Sequence, residues 1–437
     1  MSAPSYARLG SANTYDNALR NISQRQTALS NLQENLTSGK RVVRASDDPT
    51  SAAQAERALT RLSRIATDQR ALASQTNSIA MAESTLGDVT SALQSFRELV
   101  VSAGNGTFTP KDRQTVALQL QGLRDQIFEL SNRNDTNGQP LFGALGSALA
   151  PFVGPTAEPL DYTFKGLPGQ AAAGTVSIPF ALDGDSAFLF SNKRDGAYNA
   201  DVATVAPPSG YTATPPNLVP DTYLSANRAL TTSALTASAP NLVTGDVYSI
   251  AFSLVGSGAT PGTSTATYIL TNTTTSVAGA PVLVPDFPSD KPTTIAITGI
   301  PGLNFNITGS PATGDTITIE PQPSLFSVLD DAIRDIGSAA NKNAAIQAVG
   351  QALANIDIGA NRVSAVRGQA GELLNRADRI SENQEKRAIQ VEGDRSRAED
   401  LDMIKGISDF QNQQTGYQAA LQSYAHVQKL SLFNYIS

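Results

Sequence analysis

The chain has 437 residues, a formal net charge of −7 and a pI of about 4.9, and it contains no cysteine, no tryptophan and a single histidine. The acidity argues against nucleic acid as a partner, because phosphate binding needs a basic face. The absence of cysteine excludes disulfides and thiolate metal sites, and no apolar run is long enough for membrane insertion. The length allows about two to four domains.

The first eight residues lack the apolar core of a cleaved secretory signal. We therefore expect that, if the protein leaves the cell, it does so by a route that does not read such a signal.

Residues 14–37 carry apolar side chains at spacings near three and four, including Ile22, Leu29, Leu32 and Leu36. This spacing is typical of a coiled-coil-like helix. A helix with one thin apolar stripe is not stable alone, so the sequence predicts a partner helix.

Residues 38–55 then predict a bend between two helices. Gly39 suits a left-handed cap after the first helix. Pro49 fits the first position of the next helix, where Asp48 can accept hydrogen bonds from free backbone amides. Arg44 and Asp47 lie between them, and we expect these five residues to form a hinge and cap.

Two further helices are predicted before residue 132. Residues 50–103 form a long apolar seam without an internal proline, and the pattern resumes after Thr109-Pro110 and continues to about Ser131.

The middle of the chain changes in texture. Asn137-Gly138 is a strong hairpin signal, and residues from about 150 to 324 are rich in Thr, Ser, Pro, Gly and Val. Short alternating runs between 245 and 320 predict an antiparallel β domain, most simply a sandwich. The competing interpretation is a disordered Ser/Thr/Pro stalk, which the proline pairs between 200 and 240 leave open.

Helical periodicity returns at residue 324 and forms a second long seam over 345–380. Residues 384–400 are highly charged and poor in large apolar groups. The last helix carries a stripe of its own: Tyr417, Leu421, Tyr424, Val427, Leu430 and Phe433. This stripe and that of 14–37 can pack against each other within one chain or form a subunit interface with neighbouring copies.

The sequence thus predicts an α+β protein. Both chain ends form a long coiled-coil-like helical bundle, with a discontinuous central antiparallel β domain. The expected domains are a pair of terminal helices (1–45 with 396–437), mobile in the monomer; a helical bundle (46–148 with 325–395); and a β-rich domain (149–324) of one or two subdomains.

No motif for catalysis or cofactor binding is evident. His426 is alone in a helix, and Asp183-Gly-Asp185 lacks the rest of a calcium loop, so a turn between strands is the simpler interpretation. Asp47-Asp48 beside basic residues favours capping over acid–base chemistry. We expect no catalytic, cofactor or metal site and no enzyme activity.

Four stretches carry a family resemblance. They are Leu36-Thr-Ser-Gly-Lys-Arg-Val-Val-Arg-Ala-Ser-Asp-Asp-Pro, residues 103–126, Asn134-Asp-Thr-Asn-Gly-Gln-Pro-Leu-Phe-Gly, and the tail from Tyr417. Together they resemble the flagellin superfamily, and the Asp-Asp-Pro form is more similar to its hook–filament junction proteins than to flagellins. Ala144 stands where a glycine is usual. The resemblance covers about the first 145 and the last 110 residues.

This resemblance implies a structural protein of the bacterial flagellum, located outside the cell and exported through the flagellar type III apparatus. Its implied partners are other copies of itself in a ring, hook-associated protein 1, flagellin and an export chaperone. A flagellin-type filament subunit and a secreted effector with a β catalytic domain are the alternatives.

Overall fold

The computed structural model describes residues 6–156, 161–203, 230–288, 291–339 and 342–436, and within them the side chains from 16 to 426 apart from Pro240. Helices dominate both ends of the chain. Their bounds are α1 Tyr6–Ser38, α2 Pro49–Ala103, α3 Pro110–Ser131, α4 Gly184–Phe188, α5 Asn192–Asp195, α6 Leu325–Ser338, α7 Lys342–Glu399 and α8 Met403–Ile436.

The strands all lie between α3 and α6. They are β1 Phe152–Val153, β2 Thr163–Phe164, β3 Tyr198–Ala203, β4 Thr231–Thr232, β5 Thr236–Ala237, β6 Tyr248–Ser257, β7 Thr263–Asn272, β8 Val277–Ala278, β9 Val282–Pro288, β10 Thr293–Ile297, β11 Leu303–Gly309 and β12 Thr316–Pro321. Every strand pairing is antiparallel within the described ranges. The predicted α+β class, with helical ends and a central antiparallel β region, is confirmed.

The chain forms two compact units. The terminal unit comprises Met1–Ala71 and Arg379–Ser437, and the central unit comprises Leu72–Asp378. The three-part division expected from the sequence places its boundaries elsewhere and stays a prediction.

In the terminal unit α1 and α8 pack against each other. A Cβ added to Gly406 would lie 3.3 Å from Leu36, and one added to Gly416 would lie 2.5 Å from Arg25. The order of these contacts runs in opposite senses along the two helices, so α1 and α8 are antiparallel.

The helical part of the central unit has a fully buried apolar seam. Ile79, Leu86, Val89 and Phe96 of α2 have no exposed surface, and Val363 and Val366 of α7 are also buried. The ion pairs Glu83–Arg367 (2.7 Å) and Arg97–Asp357 (3.0 Å) flank this seam at the surface. Such exposed pairs add little stability, so the apolar seam holds these helices together.

Helix α3 begins with a complete capping box. The side chain of Thr109 accepts from the backbone amide of Asp112, whose carboxylate accepts from the backbone amide of Thr109. Helix α3 packs against α6, where an aromatic cluster centres on Phe326. Its ring lies 5.3 to 5.6 Å from the rings of Phe128, Phe152 and Phe188.

The β region of the central unit contains two main sheets. One has the order β3-β12-β6-β7, with β8 and β9 both pairing with β7, and the other has β10-β11 with β4 and β5 both pairing with β11. One apolar core joins them, with Tyr198, Ile250, Ile307 and Ile317 fully buried. This arrangement matches the folded β interpretation for 245–320. Residues 204–229, in the part for which a stalk was the alternative, lie outside the described residues.

Helix α7 holds the edge strand β3 through amide side chains. Gln351 donates to the carbonyl oxygen of Tyr198 (2.6 Å) and accepts from the amide of Leu235 (3.1 Å). Gln347, one turn earlier, makes the same kind of pair with Ala200 and Thr232. These contacts satisfy backbone groups at a sheet edge, where unpaired groups are a liability.

One local interpretation was wrong. The segment Asp183-Gly-Asp185 is not a turn between strands, because it begins helix α4. Asp183 accepts from the backbone amide of Asp185 and from the hydroxyl of Ser186 at 2.7 Å. A short polar side chain before a glycine suits a helix cap as well as a turn, so the sequence did not separate the two.

Candidate functional site

The bend after α1 lies against the break between α7 and α8 in the terminal unit, and we call this arrangement the joint (residues 38–51 with 395–405). Lys40 and Asp400 form an isolated antiparallel β-bridge. The backbone amide of Arg41 donates to the carbonyl oxygen of Glu399 at 2.7 Å, and that of Leu401 donates to the carbonyl oxygen of Gly39 at 2.9 Å. Two helix breaks that are far apart in sequence therefore satisfy backbone hydrogen-bonding groups of each other.

Gly39 gives the backbone the conformation that this pairing needs. Its φ is +70°, in the left-handed region, and no atom lies within 4 Å of where a Cβ would be. The chain then turns so that Val42 becomes buried, with 6% of its surface exposed. Glycine is favoured here by backbone conformation rather than by close packing.

Asp48 and Pro49 begin helix α2. One oxygen of Asp48 accepts from the backbone amides of Thr50 (3.2 Å) and Ser51 (3.1 Å), and also from the hydroxyl of Thr50. These bonds favour the ionised form, and the Ser51 and Thr50 side chains lower the pKa of Asp48 well below its usual range. A carboxylate at this position also complements the positive end of the helix dipole.

Asp47 and Arg44 shape the turn before that helix. The carboxylate of Asp47 accepts from the backbone amide of Arg44 at 2.8 Å, and the backbone amide of Asp47 donates to the carbonyl oxygen of Arg44. The guanidinium of Arg44 donates to both oxygens of Glu34 on α1, at 2.8 and 3.1 Å. Arg44 thus links the bend to the last turns of α1.

A charged network covers the joint. Lys40 forms an ion pair with Glu399, which also pairs with Arg395 at 2.9 Å. Arg395 reaches Glu392 at 2.6 Å. The pKa of Glu392 is lowered by its hydrogen bond with Arg395, and the pKa of Glu399 is lowered chiefly by its hydrogen bond with Lys40. The network favours the ionised form of these two carboxylates and links Lys40 of the bend to the last turns of α7.

The far half of the joint was not found by sequence reasoning. Helix α7 ends at Glu399, and Asp402 caps α8 by accepting from the amides of Ile404 (3.1 Å) and Lys405 (3.2 Å). The available signal was the acidic run 399–402 opposite the basic run Lys40-Arg41. Only the fold brings the two runs together.

The predicted interface stripe is only partly buried. Ile22, Leu29, Leu32 and Leu36 on α1 are half-buried, as are Tyr417 and Tyr424 on α8, and Leu421 is 40% exposed. Met403, Ile404 and Ile407 at the start of α8 are exposed, Ile404 at 85%. Val427, Leu430 and Phe433 lie where side chains are outside the described residues.

Across the described parts of the chain, no three His, Asp or Glu side chains are grouped so that they could hold a metal ion. His426 is exposed on α8. In the same ranges no helix combines the length and hydropathy needed to cross a membrane.

Comparison with known proteins places both ends of this architecture. The model of the bacterial flagellin N-terminal helical region matches residues 11–145, and that of the C-terminal helical region matches residues 353–436. Together they match half of the chain and include both halves of the joint. The chain belongs to the flagellin superfamily.

Named relatives in this superfamily match the chain in part. Flagellar hook-associated protein 3 of Salmonella typhimurium is 37% identical over 147 residues, which is 33% of this chain and 46% of the relative. The protein of the same name from Escherichia coli is 31% identical over 199 residues, 45% of this chain and 58% of the relative. The chain thus spans about half the length of these curated relatives.

Solved structures of the superfamily share the fold. Flagellar hook-associated protein 3 from Legionella pneumophila is 20% identical, with a TM-score of 0.56 over 77% of this chain and 97% of that one. FlgL from Xanthomonas campestris is 19% identical, with a TM-score of 0.55 over 77% and 98%. The related proteins bear the names of flagellar structural proteins, in agreement with the expectation that the chain is not an enzyme.

Proposed function

We propose that this flagellin-superfamily protein is a structural adaptor that assembles as a ring at the hook–filament junction, between hook-associated protein 1 and flagellin. The proposal is supported by the partial similarity of the chain to flagellar hook-associated protein 3 and by the match of both chain ends to the flagellin helical regions. The export route belongs to the same proposal: the flagellar type III apparatus, aided by a chaperone and without a cleaved signal, delivers the chain to the flagellum outside the cell.

The observation that carries the proposal is the contrast in burial between the two units. Helices α1 and α8 present a half-buried stripe with exposed Met403, Ile404 and Ile407, whereas the α2 seam of the central unit has no exposed surface at Ile79 or Phe96. Exposed contiguous apolar surface marks an interaction site. Neighbouring subunits in a ring would cover this surface, and burial at about 25 cal/mol per Å² would then favour assembly.

The joint gives the terminal helices a defined exit. Arg41 and Leu401 fix the crossing of the two chain ends through backbone hydrogen bonds, while Gly39 and the unhelical residues 400–402 interrupt the helices there. A fixed crossing with interrupted helices lets the terminal pair be presented in one direction. That property suits a subunit whose ends must pack with those of its neighbours.

Gene deletion with complementation tests this function. We expect a deletion strain to make hooks without filaments and to release flagellin into the medium, and we expect the full chain to restore filaments. A strain that keeps intact filaments after the deletion would exclude the junction role.

A truncation refines the test. Removal of residues 415–437 takes away most of the α8 stripe but leaves the central unit whole. We expect a soluble protein with the far-ultraviolet circular dichroism of a folded central unit that does not restore filaments. Normal motility in this strain would contradict assembly through α8.

A flagellin-type filament subunit is the second candidate. It is favoured by the match to a flagellin from Clostridium tyrobutyricum, which is 31% identical over 126 residues, 29% of this chain and 33% of that relative. Electron microscopy of the concentrated pure protein separates the two functions. Long filaments formed by this chain alone would support the flagellin role and overturn the adaptor role.

A further inference from the structure

A groove between the start of α2 and the end of α7 lies in the terminal unit and adjoins the joint, with which it shares Ser51, Arg397 and Ala398. Two adjoining cavities of about 360 and 440 Å³ share Arg61, Val391 and Asp394 and so form one groove. It coincides with the highly charged, apolar-poor stretch 384–400. Small side chains, among them Ala58 and Ala398, form its floor and leave the space unfilled.

The groove is strongly basic in an acidic protein. Five arginines line it against two aspartates, and Asp394 is already paired with Arg397. The other four guanidinium groups have no ion pair or hydrogen bond with any residue in the described ranges: Arg57, Arg61, Arg64 and Arg387. Clustered like charges without partners repel one another, and an anionic ligand would relieve this repulsion.

The residue type narrows the chemistry. The lysines of the chain are absent from this lining, which uses arginine alone for positive charge. Arginine presents a planar set of donors that binds a carboxylate through two parallel hydrogen bonds, whereas lysine offers a point charge. Arg57, Arg61 and Arg64 are four and three residues apart and therefore share one face of α2. This row of donors can bind more than one carboxylate.

The charge of the chain itself indicates the occupant. The terminal unit holds 17 lysines and arginines against 14 acidic residues, whereas the central unit holds 15 against 25. Exposed carboxylates without an ion pair in the described ranges are available on the central unit at Glu98, Glu129 and Glu372. The net positive charge of the terminal unit and the net negative charge of the central unit favour head-to-tail contact between copies, since complementary charge steers association.

We propose that the arginine groove binds carboxylates on the central unit of a neighbouring copy and is a self-assembly contact of this protein. This inference rests on the proposed ring assembly and adds a contact that the half-buried terminal stripe does not supply. A heterologous contact of this kind repeats around a ring.

Charge reversal in the groove is the first test. The double variant Arg57→Glu with Arg61→Glu should retain its circular dichroism and melting temperature, because both side chains are exposed and unpaired. Its self-association at low ionic strength, measured by sedimentation velocity of the full chain, should fall about tenfold or more. Arg57→Lys with Arg61→Lys keeps the charge and should fall less, and Arg70→Glu, an exposed arginine of α2 outside the groove, should associate as the unaltered chain does. Unchanged association of the reversed variant would overturn the proposal.

Cross-linking then identifies the protein segment that occupies the groove. Because the chain has no cysteine, Gln54→Cys places one photoreactive maleimide probe at the groove. In associated protein and in isolated flagella, we expect cross-linked peptides from residues 72–378 of another copy, with yield lost in the Arg57→Glu, Arg61→Glu background. Cross-links between copies that join the groove to the terminal unit of another copy, or cross-links to a different protein, would overturn the assignment. If the gene deletion leaves filaments intact, the junction function fails; if the deletion removes them while charge reversal changes nothing, only the groove assignment fails.

Discussion

The backbone amide of Arg41 donates to the carbonyl oxygen of Glu399, and the guanidinium of Arg41 donates to the carbonyl oxygen of Ala398 at 2.8 Å. One arginine thus satisfies two of the carbonyl groups that the last turn of α7 leaves without helical partners. The N-terminal bend is therefore the cap of a helix that ends about 360 residues later. This relationship makes the joint a single element and determines which substitutions should affect it.

Replacement of Gly39 should loosen the joint through backbone conformation alone. A left-handed conformation costs a residue with a Cβ roughly 1–2 kcal/mol, and no neighbouring atom would clash with an added Cβ. We expect Gly39→Ala to speed amide exchange at Arg41 and Leu401. Gly39→Asn should do so less, because asparagine tolerates this region. Equal effects of the two variants would show that conformation is not the cause.

Acidification should release the Asp48 cap. Its native pKa lies below the ordinary value of 3.8, mainly because of its hydrogen bonds with Ser51 and Thr50. A lowered native pKa means that the unfolded segment binds the proton more readily, so the stabilisation is present above pH 3.8 and is lost as the pH falls through the native pKa. The amide resonances of Thr50 and Ser51 should titrate with a midpoint below 3.8. Asp48→Asn keeps an acceptor oxygen but should abolish this titration, and a midpoint above 3.8 would contradict the cap.

Gly406 should be needed for the close approach of α1 and α8. An added Cβ would lie 2.8 Å from Leu401 and 3.3 Å from Leu36, both packed at the joint. At Gly416 the nearest group is the end of the Arg25 side chain, which can move aside. We expect Gly406→Ala to increase protease cleavage in α8, whereas Gly416→Ala should leave it unchanged or lower it, since alanine favours helix. Increased cleavage in both variants would show that general helix packing, not this contact, is responsible.

The sequence predicted the near half of the joint because its signals are local. Gly39, Asp48 and Pro49 each have a conformational preference that acts within a few residues, and the strands between 245 and 320 show their own alternation. The partner at 399–402 could not be predicted in this way. Residues 384–400 carry good helix formers, so α7 continues through them without a core seam.

The boundaries of the packed units were also beyond local signals. The long apolar patterns of 50–103 and 345–380 predicted helices α2 and α7, yet a pattern does not reveal where packing changes along a helix. The groove at Arg57 and Arg61 arises where alanines replace large seam residues on both helices. The groove stays empty because small residues meet on two segments that are more than 300 residues apart. The apolar periodicity of either segment alone does not predict this.

Ala144 carries backbone strain that a single substitution should relieve. Its φ is +54°, and its amide donates to the carbonyl oxygen of Leu182 at 3.1 Å, so the turn is fixed. Replacement by glycine removes the cost of the left-handed conformation, which is roughly 1–2 kcal/mol. Part of this gain is offset because glycine gives the unfolded chain more conformational freedom. We expect Ala144→Gly to stabilise the central unit by about 0.5–1 kcal/mol, measured as a higher denaturant midpoint. Ala53→Gly, in the exposed face of α2, should instead destabilise by about 1 kcal/mol, and a loss at both positions would refute the strain.

Amide exchange of the free monomer should separate the terminal helices from the central unit. We expect fast exchange over residues 1–40 and 405–437 and slow exchange near 55–130 and 345–380. The reason is the unequal burial of their apolar stripes: half-exposed leucines on α1 and an 85% exposed Ile404 on α8, against seam residues of α2 with no exposed surface. Helices that bury little apolar surface open at low cost, and their exchange follows that local opening. In assembled flagella the same terminal amides should become protected, because neighbouring copies would cover the stripe. Uniform protection across the free chain would contradict folding on assembly, and fast terminal exchange that persists in the flagellum would remove the terminal stripe from the interface.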